Sequence, residues 1–140
     1  ITLWIYPHFL SYFNVLAGGP ANGGRILVDS NIDWGQDLLR LQQWMADNDV
    51  AQVKLGWFGT ADPDYYGLNY EPLPGFPRPP FYGLWTNPPF DTAVPEPGVY
   101  AISVSSLWES QWGEKTVYPW FRQREPDDRI GYSIFIYDVR

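Results

Sequence analysis

The feature that most constrains this chain is a strand–helix–strand pattern between Arg25 and Phe58. Arg25-Ile26-Leu27-Val28-Asp29 is a compact apolar run preceded by glycines and reads as a buried strand. Asp33 then stands as a helix N-cap with Gln36 three residues on, the spacing of a capping box. The helix is expected from Trp34 to Asn48. On it Leu38, Leu41 and Met45 form one apolar stripe, flanked by Leu39 and Trp44. Val53 to Phe58 is a second apolar run, ended by Gly59. A unit of this kind joins two parallel strands through a right-handed crossover. The expected fold class is therefore α/β, a small, mostly parallel sheet of about four to five strands.

The remaining segments fit around that unit. Thr2 to Tyr6 is a short apolar stretch of β-formers. Pro7 opens a brief helix from His8 to Asn14, which stops before Ala17-Gly18-Gly19-Pro20. Val99 to Val104 reads as a third strand, Tyr118 to Arg124 as a short helix stopped by Pro126, and Ser133 to Val139 as the last strand. Asp62 to Pro97 differs from all of these. It is dense in Pro, Gly, Tyr and Trp and has no period. Structureless loops of that length are unusual in a compact domain. A linker would also be polar, whereas this stretch carries Tyr65, Tyr66, Tyr70, Phe76, Phe81, Tyr82, Trp85 and Phe90. It is expected to be an ordered excursion over one end of the sheet, within a single α/β domain spanning residues 1–140.

Composition removes several function classes. The chain is 45% apolar and 19% aromatic, enough to bury a core. Its net charge of −7 argues against nucleic acid, which needs a basic face to release counterions. The same charge disfavours a polybasic grip on anionic lipid. There is no cysteine, hence no disulfide, thiolate or cysteine-ligated zinc. The single histidine, His8, is too few for a histidine-rich metal site. The most apolar opening run, Ile1 to Tyr6, falls far short of the ~20 residues of a spanning helix. With neither an initiator Met nor a signal-peptide pattern, the chain reads as a segment of a longer protein.

In an open parallel sheet, ligands bind beyond the carboxyl ends of the strands. That edge would gather Asp29, Ser30 and Asn31, then Thr60 and Asp62, then Ser105 and Ser106. The densest cluster is Asp29-Ser30-Asn31-Ile32-Asp33-Trp34-Gly35-Gln36-Asp37. Asp29, Asn31, Asp33, Trp34, Gln36, Asp62 and Ser105 are the candidate ligand contacts. Asp29, Asp33 and Asp37, at a spacing of four, invite a calcium reading, although they lack the ligand spacing of an EF-hand. The structural reading of the same residues is plain: Asp33 caps a helix, Asp37 favours its positive end, and Asp29 ends a strand. The serines lack a nucleophile-elbow pattern, and the glycines at Gly18, Gly19, Gly23 and Gly24 precede a strand, not a helix. Trp57, Trp85, Trp108, Trp112 and Trp120 suit sugar stacking, a core or an interface equally. No carboxylate pair for glycoside cleavage can be chosen from sequence.

Several longer strings carry a family resemblance. These are Tyr6-Pro7-His8-Phe9-Leu10-Ser11-Tyr12-Phe13-Asn14, Ala17-Gly18-Gly19-Pro20 and Val28-Asp29-Ser30-Asn31-Ile32-Asp33-Trp34-Gly35-Gln36-Asp37-Leu38. Phe58-Gly59-Thr60-Ala61-Asp62-Pro63, Tyr66-Gly67, Gly98-Val99-Tyr100-Ala101-Ile102-Ser103 and Arg129-Ile130-Gly131-Tyr132-Ser133-Ile134-Phe135 follow the same pattern. Together they resemble the soluble C-terminal region of bacterial polytopic glycosyltransferases similar to the dolichyl-phosphate-mannose protein mannosyltransferases (glycosyltransferase family 39). The resemblance covers nearly the whole chain, least in the middle excursion. It implies a parent enzyme that uses a polyprenyl-phosphate sugar, with its catalytic acid in a loop near the first membrane helices. No catalytic residue carries over to this chain. What remains implied is a non-catalytic accessory domain on the extracytoplasmic face. It would be tethered to the transmembrane part of the parent and would contact a glycan or protein acceptor or cover the active site. The alternative is a structural or interaction module of a larger assembly.

Overall fold

The computed structural model describes residues 5–14, 16, 18–20, 23, 34–59, 61–73, 76–77, 85–86, 94–108 and 118–140. The expected first strand, Arg25 to Asp29, lies outside them. Among the described residues, its expected partners stand in a five-stranded sheet. Helix α1 runs Leu38–Asp47 and leads into β1, Val53–Gly56. A 3-10 turn at Pro63–Tyr66 precedes β2, Tyr70–Pro72. A separate two-stranded ladder pairs β3, Phe76–Pro77, with β4, Trp85–Thr86. Then come β5, Gly98–Ser103, α2, Val104–Trp108, α3, Pro119–Arg122, β6, Asp128–Ile130, and β7, Ile134–Val139.

The order across the sheet is β2-β1-β5-β7-β6. β1 is parallel to both β2 and β5, while β7 runs antiparallel to β5 and β6. The fold is a small α/β fold with a mixed sheet. The long excursion is more regular than its composition suggests, because it supplies β2 to the sheet edge.

Period two along β5 explains the layers. Ala101 aligns with Leu55 and Ile136, and this row meets Leu38, Leu41 and Met45 of α1. Tyr100 and Ile102 point the other way and meet Tyr137, Leu107, Tyr118 and Phe121. A central strand apolar on both faces needs a helical layer on each. A helix of ten residues is marginal in water, so its stability comes from the buried stripe, with Leu38 and Leu41 both fully enclosed. Each such side chain contributes about 1.5–3 kcal/mol on burial.

α1 begins four residues later than the capping-box reading predicts. Gly35 stands at φ +83, a left-handed conformation that interrupts helical geometry, and Gln36 Oε1 accepts the Trp34 backbone N–H at 2.8 Å. The helix therefore starts behind Asp37, whose side chain makes no capping bond to the helix. The opening segment forms a 3-10 turn at Phe9–Ser11, within the brief helix expected there.

On the opposite face of the sheet, Phe121 stacks against Tyr100, Tyr137 and Trp120 with centroids 4.8–5.0 Å apart. Tyr118 joins them edge-on, and burial pushes its phenol well above the ordinary value of 10.0. In the unfolded chain that phenol ionises near its ordinary value, whereas the folded chain holds it neutral. Stability is thus fully present below about pH 10 and falls as pH rises past it. Urea unfolding from pH 9 to 12 should show this decline. Tyr118→Phe should flatten it without abolishing it, because burial also raises Tyr100.

Candidate functional site

The carboxyl ends of β1 and β5 share one edge of the sheet. β7 is antiparallel to β5, and Ser103 pairs with Ile134, so the β6–β7 turn comes to the same edge. The start of α1 docks there through Asp37. This carboxylate is only 1% exposed. Its Oδ2 accepts the hydroxyl of fully buried Ser133 at 2.6 Å, and its Oδ1 accepts from Arg40 Nη1. A buried carboxylate is costly unless it is both paired and hydrogen-bonded, and here both conditions are met. Gly131, at φ +57, lies directly under the cluster. A Cβ at that position would stand 2.5 Å from Asp37 Oδ2 and 3.0 Å from His8 Nδ1. His8 reaches this point from the opening segment, and its ring meets Tyr132 edge-on at 5.5 Å.

The next loop closes against α1 by backbone contact. A Cβ on Gly59 would stand 3.1 Å from the Gly35 backbone, and one on Gly35 would stand 2.8 Å from the Trp57 ring. Trp57 is buried and its indole N–H donates to the Ala61 carbonyl at 3.0 Å. The loop after β1 is thereby fixed beside Trp34 and Gly35.

The expected site residues meet different fates. Asp29, Asn31 and Asp33 lie outside the described residues, as does Thr60. Trp34 is 60% exposed and Gln36 is exposed beside it. Asp62 is half-buried and caps the 3-10 turn, its Oδ1 accepting the Asp64 N–H at 3.0 Å. Ser105 reaches the edge but is wholly enclosed in α2. Asp37, the described member of the calcium triplet, has both oxygens engaged by Arg40 and Ser133. Among the described residues no group of three His, Cys, Asp or Glu is placed to hold a metal ion. Sequence reasoning missed Ser133, Gly131, Tyr132 and Arg40. Arg40 had a readable signal, since it stands one helical turn after Asp37. Ser133 had none.

Chemically, the cluster positions groups instead of supplying a nucleophile. The Ser133 hydroxyl is fully buried, out of reach of solvent, and its hydrogen bond serves to compensate the Asp37 charge. Arg40 is different: its side chain is 41% exposed while Asp37 fixes one end of its guanidinium. A fork of N–H donors tethered at one end suits hydroxyl-rich or anionic ligands. No protein-family model matches the chain, and no curated protein or solved structure matches it either.

The buried pin is testable by stability. Ser133→Ala leaves a buried carboxylate oxygen short of a donor and should cost about 1–3 kcal/mol in urea unfolding. Gly131→Ala adds a left-handed strain to a clash with Asp37 and should destabilise by at least as much. If both variants melt like the parent chain, Asp37 does not hold this edge together.

Proposed function

We propose that this chain is a non-catalytic, extracytoplasmic accessory domain of a membrane-embedded glycosyltransferase, and that it contacts the glycan or protein acceptor at the carboxyl edge of its sheet. The observation that carries the reading is the solvent-facing Arg40 guanidinium, anchored by buried Asp37, at the edge that also carries exposed Trp34. It offers an oriented cation and an aromatic face at the edge where α/β sheets bind ligands. Sugars are met in this way, with ring C–H groups on an indole and hydroxyls on charged donors and acceptors. The family resemblance supports the parent enzyme, its polyprenyl-phosphate sugar donor and the attachment to a transmembrane part. Catalysis would reside in that other part, and this domain would hold or orient the acceptor.

The test is a titration of the chain with oligosaccharides and with glycan-acceptor peptides, read by tryptophan fluorescence and calorimetry. Saturable binding is expected. Trp34→Ala and Arg40→Gln should each weaken it about tenfold, a loss of ~1.4 kcal/mol. Deleting the domain from the parent enzyme should lower transfer while leaving the membrane part folded. Unchanged transfer after deletion would remove the accessory reading, and unchanged affinity in both variants would remove this edge as the contact.

A further inference from the structure

The opening segment has an inner and an outer side. Inside, Ile5 and Ser11 are each 2% exposed, Phe13 packs against Val104, and His8 meets Tyr132. Backbone bonds fix the turn between them: His8 N–H donates to Ile5 O at 2.7 Å, and Ser11 N–H to His8 O at 3.1 Å. Outside, the same segment displays apolar groups. Tyr6 is 73% exposed, Phe9 48%, Tyr12 38% and Leu16, further along the segment, 99%. Tyr6 and Phe9 lie edge to face, with centroids 5.7 Å apart. A segment pinned by four inward residues presents these rings as a fixed surface.

Charge singles this surface out further. Residues 1–24 contain no Lys, Arg, Asp or Glu, so the entire net charge of −7 resides in residues 25–140. Scattered surface apolar groups need no explanation, but an uncharged aromatic segment on an acidic body does. A basic protein groove would favour the acidic body over this segment. An anionic bilayer would repel the body. A zwitterionic bilayer surface does neither, and tyrosine and other aromatic rings partition to its headgroup level.

We propose that Tyr6, Phe9, Tyr12 and Leu16 form a docking surface for a zwitterionic lipid–water interface, which holds the acidic body away from the bilayer. The inference deepens the reading that the domain works at a membrane, but it does not depend on glycan binding.

Flotation with phosphatidylcholine vesicles tests it. The chain should float with the vesicles, and Tyr6→Ser combined with Phe9→Ser should weaken partitioning about tenfold. Leu16→Ser, at a side chain that touches almost nothing, should weaken it too and guards against a folding defect in the double variant. Leu39→Ser, 61% exposed but on α1, should have no effect. Replacing part of the lipid with phosphatidylglycerol should lessen binding, because the body is acidic. The proposal is overturned if the chain stays unbound, if the segment variants float like the parent, or if anionic lipid strengthens binding. Concentration-dependent dimerisation without flotation would instead assign the surface to a second copy. If flotation holds while the glycan titration fails, only the acceptor reading is lost.

Discussion

The carboxylate of Asp37 is the junction on which the site end of this molecule depends. It lies where α1, the β6–β7 turn and the opening segment meet, and it is almost wholly removed from water. A charge in that position stabilises nothing by itself. Desolvation costs several kcal/mol, and the Ser133 hydroxyl and the Arg40 guanidinium offset that cost only where they stand. Removing either partner leaves an uncompensated buried acceptor, so α1 and the β6–β7 turn are held in one register by a polar contact, with His8 of the opening segment beside it. The neighbouring apolar core would tolerate small slips, whereas this contact would not. Arg40 is the one partner that also faces solvent, which passes the constraint from the interior to the surface.

The sheet makes this meeting possible. β5 is central, with parallel β1 on one side and antiparallel β7 on the other. Strand ends and a tight turn therefore share one edge. Two layers of helix then follow from the apolar alternation along β5 and β7, with α1 on one face and α2 and α3 on the other. The close approach of Gly35 to Gly59 lets the loop after β1 lie directly against the start of α1. A larger residue at either position would push the loop away and take Trp34 with it.

Much of the frame is legible in the sequence, because it rests on local periodicity. The α1 stripe, β1, β5 and β7 fall within a residue or two of where alternation and helical spacing put them, save for the start of α1. The short strands are a different matter. Tyr70-Glu71-Pro72 contains a proline and Asp128-Arg129-Ile130 two charges, so neither carries a strand pattern, and both form because a neighbouring strand offers them an edge. The start of α1 was misplaced because Asp33 and Gln36 fit a capping box, while Gly35 takes a left-handed conformation that spacing does not reveal. The site is the least legible part. Asp37 and Ser133 lie 96 residues apart, and no local rule pairs them. Trp34 and Gln36 are exposed at this edge, while the strand end from which the edge rule reads them lies outside the described residues.

The polar edge and the aromatic segment meet at His8. His8 stands between them, with its ring against Tyr132 and Nδ1 over Gly131, while Phe9, the next residue, faces water. An alteration that displaces the opening segment would take His8 away from Gly131 and Tyr132, the residues that precede Ser133. On the proposed reading this contact has a geometric consequence. A domain seated on a bilayer through Tyr6 and Phe9 would hold the edge at Asp37 at a set height above the lipid, because His8 of the same pinned turn stands beside Gly131 and Tyr132. A flexible tether would leave that height undefined. An acceptor held at the edge would then be presented at a constant distance from a membrane-borne sugar donor, which is the positional service an accessory domain can give without a catalytic group of its own.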